Sequence, residues 1–376
     1  MKVITILSPA HPLRGGIASS TERLAQELQH QGYQVNIISF SLQYPGFLFP
    51  GKTQYTTDPP PEGLTITQEI NSVNPLNWLK VGLRLRRARP DLIIARFWLP
   101  FMGPSLGAIM RLAKSNNHTR VIALTDNIIP HERRFGDRLF TRFFLNAADA
   151  FLVMSKSVEQ DAHTLAPGKP VALAPHPVYD NYGDPVPREA ALAQLQLSPE
   201  FHYLLFFGFI REYKGLDLLL GAMADPRIRE RNIRLLVAGE YYGNQEQYDR
   251  LIERLGIRDL LILKTDYIPN DAVKYYFSAA DLVAQPYRSA TQSGISQLAY
   301  HFEKPMLATN VGGLPETVAH GQSGYIVEVN ETAIADAIVD FYAENRQTAM
   351  TKWVANAKSQ YSWENMVKVI EELMKR

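Results

Sequence analysis

The chain has 376 residues, 46% of them hydrophobic, and a formal net charge of +1. This length suggests two domains with a packed core each, and the near-zero charge argues against an acidic disordered chain and a wholly basic nucleic-acid-binding protein. The absence of Cys excludes disulfides, thiolate nucleophiles and cysteine-ligated metal sites. The charge is uneven, because residues 1–180 carry 19 Lys and Arg against 13 Asp and Glu, a balance of +6, whereas the remainder has −5.

Apolar runs of strand length alternate with helical patterns from the start of the chain. In the first half, the predicted strands are residues 3–7, 34–39, 64–67, 91–95, 120–124, 150–154 and 171–174. Several are continuously apolar, as expected for strands covered on both faces of a parallel sheet. Leu24, Ala25 and Leu28 alternate with charges and predict an amphipathic helix that ends near Gly32. This β-α-β beginning predicts a doubly wound α/β sheet.

The same alternation restarts after a segment rich in Pro and charge. In the second half, the predicted strands are residues 203–207, 233–238, 260–264, 282–284, 305–308 and 324–327. We therefore predict an N-terminal domain over 1–175, a linker over 176–190, a C-terminal domain over 191–361 and a closing helix over 362–376. Two doubly wound domains joined by one linker are expected to face each other across a cleft, with ligands at the carboxyl ends of the strands.

The N-terminal apolar run is interpreted as a buried strand rather than a signal peptide, because Pro9 follows after about seven residues and no cleavage site comes next. No apolar run approaches the ~18–20 residues that span a bilayer. The expected location is the cytoplasm, either free or peripheral on the inner face of a membrane. The nine His are scattered and show no helical i, i+4 pair, so no metal site is predicted.

Gly15 and Gly16 stand between the first strand and the first helix. Glycines at such a turn allow the backbone to approach a ligand closely, and a helix N-terminus presents unpaired N–H groups to an anion. A plain tight turn explains the pair equally well. The spacing matches neither the dinucleotide-binding fingerprint nor a P-loop.

Two further turns between a strand and a helix carry candidate phosphate ligands. Arg211 and Lys214 follow strand 203–207 closely enough to converge on one diphosphate, although a solvated loop with an ion pair to Glu212 is the alternative. After strand 282–284, Ser293, Gly294 and Ile295 begin a helix. They are either an ordinary N-cap or a cradle of backbone N–H groups for an anion.

The motifs together resemble the large group of retaining GT-B glycosyltransferases of the family 4, or group 1, type. The resemblance spans nearly the whole chain and rests on Gly15-Gly16-Ile17, Gly208 to Gly215 with its Lys-Gly, Val237-Ala238-Gly239-Glu240, Ala279-Ala280-Asp281-Leu282, Gln292-Ser293-Gly294, Lys304-Pro305 and Gly312-Gly313-Leu314-Pro315-Glu316. It implies two Rossmann-like domains facing across a cleft. It also implies a nucleoside diphosphate sugar as donor, UDP or GDP sugar before others, with no required cofactor or metal, and transfer with retention to a glycan or lipid-linked acceptor.

This chain departs from the family pattern at two places. When Lys304-Pro305 is aligned, Ala290 and Leu298 occupy the positions of the usual Glu pair. Phe209 stands where the family often has Arg, and Arg211 is a substitute two residues later. The chain therefore resembles a branch with Thr-Gln-Ser-Gly in place of the first Glu.

The resemblance implies roles for single residues. His131, Arg211 and Lys214 are the catalytic candidates, and Asp126, Asn127 and His131, after strand 120–124, are the acceptor-binding candidates. His131 is equally well explained as a cap at a helix start. The donor-binding candidates are Gly15, Gly16, Arg211, Lys214, Glu240, Tyr241, Tyr267, Ile268, Gln292, Ser293, Gly294, Ile295 and Glu316.

The basic first half contains an arginine stripe, Arg134, Arg138 and Arg142, beside Phe135, Leu139 and Phe143. Cationic and apolar faces side by side suit an anionic membrane surface or a lipid-linked acceptor. The alternative is a crossover helix with its apolar face in the core and its Arg in water. No nucleic-acid partner is expected, because no recognised binding motif accompanies the charge.

Two competing functions remain open at this point. One is a catalytically silent GT-B homologue that serves as a partner or assembly subunit, suggested by the missing Glu pair. The other is a GT-B sugar-nucleotide epimerase, which needs acid–base carboxylates that are not distinctive here. A retaining transfer on one face of the sugar depends on cations and N–H groups that stabilise the leaving diphosphate, more than on a carboxylate nucleophile. Such a reaction tolerates the loss of the Glu pair.

Overall fold

The computed structural model describes residues 2–46, 53–129, 136–290, 292–344 and 346–375. The chain forms two compact units. One consists of Met1–Pro177 together with Ser362–Arg376, and the other of Val178–Tyr361. In each unit, helices cover both faces of one parallel sheet.

The described part of the first unit contains a seven-stranded parallel sheet. Its strands are β1 (Val3–Leu7), β2 (Gln34–Leu42), β3 (Thr65–Asn71), β4 (Leu92–Phe97), β5 (Arg120–Thr125), β6 (Ala150–Val153) and β7 (Val171–Leu173). Their order across the sheet is β3-β2-β1-β4-β5-β6-β7. The central strand β4 therefore lies between β1 and β5 and is parallel to both.

Helices cover the two faces of this sheet in separate groups. They are α1 (Gly16–His30), α2 (Pro75–Ala88), α3 (Gly103–Lys114), α4 (Asp137–Leu145), α5 (Lys156–Leu165) and α15 (Trp363–Lys375). One face packs against α1 and α15, and the other against α2 to α5. This division follows from the strands, in which successive side chains point to opposite faces, so that Ile4 and Ile6 meet α1 while Leu7 meets the other group.

The second unit repeats this plan. Its strands are β8 (His202–Phe207), β9 (Ile233–Ala238), β10 (Leu261–Lys264), β11 (Leu282–Gln285), β12 (Met306–Thr309) and β13 (Gly324–Val327). They form a parallel sheet in the order β10-β9-β8-β11-β12-β13. The order reverses at β8, where the neighbours β9 and β11 lie on opposite sides, which is the point at which open α/β sheets bind ligands.

The helices of the second unit again form two layers. They are α6 (Arg188–Leu195), α7 (Leu216–Met223), α8 (Pro226–Arg229), α9 (Gln245–Leu255), α10 (Val273–Ala279), α11 (Gly294–His301), α12 (Leu314–Thr317), α13 (Glu331–Ala343) and α14 (Gln347–Ala357). One apolar core contains residues of α7, α9 and α13, and the other contains residues of α10, α11 and α14.

The predicted α/β class with two doubly wound parallel sheets is confirmed. The main differences are at β2 and β3, which run further than predicted because polar residues such as Ser41, Gln68 and Glu69 interrupt the apolar pattern at their ends. The C-terminal residues form α15, whose Met366, Ile370 and Leu373 are buried in the core of the first unit. No helix in the described part of the chain is long and apolar enough to span a bilayer.

Candidate functional site

Two tight backbone approaches bring the carboxyl ends of β8, β9 and β11 together. Gly208, directly after β8, has φ +94°, and a Cβ on Gly239 would lie 2.4 Å from the Gly208 carbonyl oxygen. Gly215 has φ +65°, and a Cβ there would lie 2.0 Å from the carbonyl oxygen of Pro286. Gly239 and Gly215 therefore require glycine both for conformation and for space, and Gly208 requires it for conformation. The loops after the central strands therefore meet at one small region of the sheet edge.

Lys214 lies in this region at the end of a short 3-10 turn, Glu212–Lys214. Its Nζ is 3.1 Å from the position that a Gly208 Cβ would take and 5.6 Å from the ring centroid of Tyr287. Ile295 Cδ1, at the start of α11, lies 3.5 Å from that same Cβ position. Burial, together with the charge of Arg211, lowers the pKa of the Lys214 amine to about 8. Within the described residues, no carboxylate forms an ion pair with it.

Arg211 and Lys214 behave differently. The Arg211 side chain is exposed, and its guanidinium lies 4.7 Å from the ring centroid of Tyr242. Tyr242 in turn packs against Phe209 with ring centroids 4.3 Å apart. Arg211 is close enough to affect the pKa of Lys214. The structure thus places one half-buried and one exposed cation at the same sheet edge, as the sequence spacing predicts.

The start of α11 is fixed by contacts with its own unit. The Ser293 Oγ caps the helix by accepting a hydrogen bond from the Ile295 N–H at 3.2 Å, and the Tyr287 hydroxyl lies 3.4 Å from the same Oγ. A Cβ on Gly294 would be 2.7 Å from the ring of Tyr179. The Ser293 side chain therefore already engages the Ile295 N–H, so binding of an anion by this N–H would require displacement of the serine cap.

The loops after β9 and β10 contribute mainly backbone and apolar surface. Glu240 is buried, and its carbonyl oxygen accepts a hydrogen bond from the Ile210 N–H at 2.8 Å. The Tyr241 ring packs against Tyr248 at 5.6 Å, and burial raises the pKa of its hydroxyl to about 12. Tyr267 is half-buried, and Ile268 packs against the core formed with α10 and α11. The Tyr241 ring belongs to the core more than to an open surface.

The glycine loop after β12 adjoins the β11–α11 connection. The Gly313 N–H donates a hydrogen bond to the Ala290 carbonyl oxygen at 3.3 Å. Glu316 lies on the short helix α12 and is exposed. Gln292 is half-buried immediately before the Ser293 cap. The structure therefore brings the loop that bears Glu316 next to the segment that bears Gln292 to Ile295.

In the first unit, the predicted glycine pair marks the start of α1. Gly15 is the N-cap with φ +112°, and Gly16 is the first helical residue. The preceding loop is held by short antiparallel pairing: the Arg14 N–H donates to the Gln54 carbonyl oxygen at 3.0 Å, and the Thr56 N–H donates to that of Pro12 at 2.9 Å. The conformation of the turn needs glycine at position 15, and the strand pairing fixes the loop before it.

Asp126 has a partner that the sequence did not reveal. Its two carboxylate oxygens accept hydrogen bonds from the Nε and Nη2 of Arg96, each at 2.7 Å, and both residues are buried. Asp126 therefore pairs with an arginine from the neighbouring strand β4, and its predicted contact with an acceptor would have to compete with that pair. Asn127 is half-buried beside it, and His131 lies outside the described residues.

Tyr287 and Arg96 are the site residues that sequence reasoning missed. Tyr287 follows β11 by two residues and contacts both Lys214 and Ser293, so its position at a strand end was the available signal. Arg96 lies within a continuously buried strand, where a charged residue requires a partner, and that burial pattern was its signal.

The arginine stripe is only partly within the described residues. Arg138 and Arg142 lie on α4, which begins at Asp137, whereas Arg134 and Phe135 fall outside the described ranges. The crossover-helix alternative fits α4 in part, because Arg138 and Arg142 are exposed while one face of the helix is buried, but Leu139 and Phe143 of the stripe are 68% and 38% exposed. Phe144 and Leu145 point into the core instead.

Two family models match the chain, glycosyltransferase family 4 over residues 14–181 and glycosyl transferases group 1 over residues 187–360. The D-inositol 3-phosphate glycosyltransferase of Segniliparus rotundus is 34% identical over 185 residues, which are 48% of this chain. The match spans 41% of that relative, less than half of its length.

Two solved structures illustrate the fold. Sucrose-phosphate synthase from Thermosynechococcus elongatus has a TM-score of 0.75 at 17% identity, covering 100% of this chain and 98% of that chain. HepE from Anabaena, in complex with UDP and glucose, has a TM-score of 0.70 at 18% identity, covering 100% of both chains. At these identities the likeness shows a shared fold.

Proposed function

Because the chain belongs to the GT-B glycosyltransferases of the family 4, or group 1, type, we propose that it transfers a sugar from a nucleoside diphosphate sugar to a glycan or lipid-linked acceptor, with retention. The observation that carries this proposal is Lys214, a half-buried amine at the switch point of the second sheet with no carboxylate partner among the described residues. An unpaired cation at such a point favours an anionic ligand, and a diphosphate supplies the countercharge.

The proposed donor site lies in the second unit. Lys214 binds the diphosphate, and Arg211 adds a second cation from the exposed side. Gly294 and the Ser293 cap form the opposite wall, and Gln292 and Glu316 are proposed to contact the donor sugar. Glu240, Tyr241, Tyr267 and Ile268 are proposed to form the nucleoside pocket; the core position of the Tyr241 ring favours a backbone contact there. Gly15 and Gly16 are proposed as the donor contacts of the first unit.

The proposed reaction takes place on one face of the sugar. The bond between the anomeric carbon and the diphosphate oxygen breaks, the acceptor oxygen bonds to that carbon on the same face, and the acceptor proton passes to the leaving diphosphate. Lys214 and Arg211 stabilise the negative charge that develops on the leaving group, which is where preorganised charge lowers a barrier most effectively. Asp126, Asn127 and His131 are the proposed acceptor contacts, and Asp126 acts there only in competition with Arg96.

The acceptor is proposed to be membrane-associated. Leu139 and Phe143 expose apolar surface on α4 next to Arg138 and Arg142. Exposed apolar groups beside cations suit the boundary between anionic headgroups and acyl chains. We place the protein in the cytoplasm, peripheral on the inner face of a membrane. The matched relative is named for D-inositol 3-phosphate, so that compound belongs among the soluble acceptors to be tested.

The test is a panel of UDP, GDP and ADP sugars with calorimetry for binding and product analysis for slow hydrolysis. We expect one nucleotide to bind, with Lys214→Ala lowering its affinity by about 10- to 100-fold, the loss of one charge-assisted contact of about 1.5–3 kcal/mol. Lys352→Ala, an exposed lysine of α14, is the matched control and should bind as wild type does. Unchanged binding by Lys214→Ala would remove the diphosphate assignment.

A catalytically silent homologue is the second candidate, because Ala290 and Leu298, at the positions of the usual Glu pair, are both buried in the apolar core of the second unit. Nucleotide binding without any hydrolysis or transfer would favour this candidate, and failure to bind any nucleotide would favour a purely structural subunit. An epimerase would instead convert the sugar nucleotide into its epimer without releasing the nucleotide, which the same product analysis detects.

A further inference from the structure

Arg96 occupies a central position in the first sheet. It is the penultimate residue of β4, and β4 lies between β1 and β5. The loops that follow β1 and β5 carry the glycine pair and the proposed acceptor residues. Because the carboxyl ends of parallel strands share one edge, a long side chain at the end of β4 is able to reach both loops. Arg96 is only 3% exposed, so its charge must be satisfied within the unit.

On the side of β5, the Arg96 guanidinium forms a bidentate pair with the Asp126 carboxylate. The Nε and Nη2 donate to the two carboxylate oxygens, each at 2.7 Å. This planar pairing fixes distance and orientation together. It thereby sets the beginning of the segment that continues to Asn127, and the Asp126 N–H is itself tied to the Phe97 carbonyl oxygen at 2.8 Å.

On the β1 side, the remaining nitrogen, Nη1, reaches the first turn of α1. It donates to the Ser20 Oγ at 2.5 Å and contacts the Ile17 carbonyl oxygen at 3.3 Å. The Thr21 hydroxyl donates to the same carbonyl at 2.8 Å and lies 2.7 Å from the Ser8 Oγ at the end of β1. One guanidinium is therefore bonded to the first turn of α1, which begins directly at the glycine pair.

A buried histidine completes the surroundings of this ion pair. His176 interacts electrostatically with both Arg96 and Asp126, and its Nδ1 hydrogen bonds to the Pro177 carbonyl oxygen at 2.9 Å. Burial lowers the pKa of His176 to about 4, so the ring is neutral near pH 7. The Arg96–Asp126 pair thus lies in a buried polar cluster that includes Ser20 and His176.

We propose that Arg96 is a positioning residue that couples the glycine loop at Gly15 and Gly16 to the acceptor segment at Asp126 and Asn127. It touches no substrate itself; it sets the relative placement of two loops that do. The inference rests on the proposed function, because these loops contact substrate only if the chain is a glycosyltransferase. A point mutation cannot test it cleanly, since removal of one partner leaves the other charge buried and destabilises the unit.

The test replaces both partners, Arg96→Met with Asp126→Leu, because an apolar pair of similar volume is often tolerated where a buried ion pair stood. With the sugar nucleotide of the panel that wild type hydrolyses fastest, and water as acceptor, we expect the kcat of hydrolysis to fall by about 10- to 100-fold, the cost of a small misplacement of reacting groups. The stoichiometry of nucleotide binding in calorimetry should stay at the wild-type value, since Lys214 and Arg211, the proposed diphosphate cations, lie in the second unit. Partial unfolding would lower the stoichiometry instead.

A second readout does not depend on activity. In the double variant, the hydrogen-bonded backbone amides of Ser19 to Thr21 in α1 should exchange hydrogen faster than in wild type, while those of α15 on the same unit should not change. Arg120→Met is the matched control, because Arg120 is the first residue of β5 and so lies at the amino ends of the strands, away from both loops. Its side chain donates a hydrogen bond to the Met374 carbonyl oxygen. It should leave exchange at α1 and kcat unaltered.

The outcomes separate the two proposals. If wild type neither binds any nucleotide of the panel nor hydrolyses any of its sugar nucleotides, the proposed function fails, and with it the positioning role of Arg96. Faster exchange at α1 in the double variant would then still confirm that Arg96 holds the loop in place. If wild type is active, an unchanged kcat in the double variant overturns the positioning role. Unchanged exchange overturns the coupling of the loops in either case.

Discussion

The charge state of Lys214 links local packing to the proposed chemistry. The amine lies against Gly208 and the Tyr287 ring, where water is partly excluded, and Arg211 adds a like charge. Both effects favour the neutral amine and lower the pKa to about 8. A bound diphosphate favours the protonated amine instead, because it supplies a negative charge next to Lys214 where the described residues supply none. Donor binding is therefore coupled to protonation of this residue.

We expect donor capture to weaken at alkaline pH. Free enzyme with its Lys214 protonated predominates below about pH 8, so kcat/KM for the donor should be flat there and fall as pH rises above that value. In Lys214→Arg the fall should disappear, since a guanidinium stays charged throughout this range. The measurement is kcat/KM for the donor, obtained from steady-state rates over a range of donor concentrations at pH values between 6 and 10. An identical alkaline fall in both enzymes would assign the titration to another group.

Asp126 shows where sequence reasoning about single residues ends. Its place after a strand correctly predicts the carboxyl edge of the first sheet, since strand ends follow from apolar runs. The residue that binds it, Arg96, comes from a different strand, and only the sheet order β1-β4-β5 brings the two together. Sequence spacing carries no direct signal for such a long-range pair. By contrast, Arg211 and Lys214 belong to one loop, so their spacing alone predicted their common location.

At the level of elements, the turn from β8 into α7 depends on glycine for two separable reasons. Gly215 and Gly256 have nearly the same backbone conformation, with φ +65° and +63°. A Cβ on Gly215 would meet the Pro286 carbonyl oxygen at 2.0 Å, whereas a Cβ on Gly256, at the end of α9, would meet no atom within 4 Å. The two positions therefore separate the cost of a left-handed conformation from the cost of a clash.

The variants Gly215→Ala and Gly256→Ala should differ in stability and in binding. Gly256→Ala should cost about 1–2 kcal/mol, the penalty of a left-handed alanine. Gly215→Ala should cost a further ~1–3 kcal/mol because the β11–α11 connection must move. It should also weaken UDP binding, since Lys214 directly precedes it. Denaturant unfolding and calorimetry measure the two effects; equal losses in both variants would show that the close approach to Pro286 is unimportant.

Helix α4 illustrates why an amphipathic pattern does not by itself reveal what the apolar side contacts. The sequence places Leu139 and Phe143 on one stripe, which an ordinary crossover helix would bury. In the structure, Phe144 and Leu145 occupy the core, and Leu139 stays exposed beside Arg138 and Arg142. Phe143 is partly covered by Arg111, whose guanidinium lies 3.8 Å from the ring centroid. Burial depends on the rotation of the helix against α3, which sequence periodicity fixes only approximately.

The exposed face of α4 should bind anionic vesicles. We expect wild type to co-sediment with phosphatidylglycerol-containing liposomes. The triple variant Arg138→Glu, Leu139→Asp and Arg142→Glu should remain in solution, since each basic residue contributes about 1 kcal/mol to binding near such a surface. Arg227→Glu, on α8 of the second unit, is the control and should still bind. Equal co-sedimentation of wild type and the α4 variant would contradict the proposal, as would loss of binding by the control.

On the scale of the whole molecule, the alternation of apolar runs predicted both sheets because parallel strands buried on two faces are continuously apolar. That rule depends on composition within each strand and needs no long-range information. The final helix is different. Its spacing predicts an amphipathic helix, but only the folded chain shows that this helix packs beside α1 against β5, β6 and β7 of the first unit. The first unit is therefore built from two segments that are far apart in the sequence.

This arrangement predicts separate responses to mutation and ligand. Ile370 is fully buried on α15, so Ile370→Ala should destabilise the first unit by about 2–5 kcal/mol, which lowers its thermal transition by roughly 5–15 °C. Lys368→Ala, which removes only an exposed ion pair with Glu364, should change it little.

UDP at about 100 times its Kd should stabilise the second unit by about 2.7 kcal/mol. In scanning calorimetry, one transition should then respond to Ile370→Ala and a different one to UDP, because the helix and the proposed nucleotide site belong to different cores. A single transition that moves with both changes would show that the two units unfold together, and that the C-terminal helix stabilises the molecule as a whole.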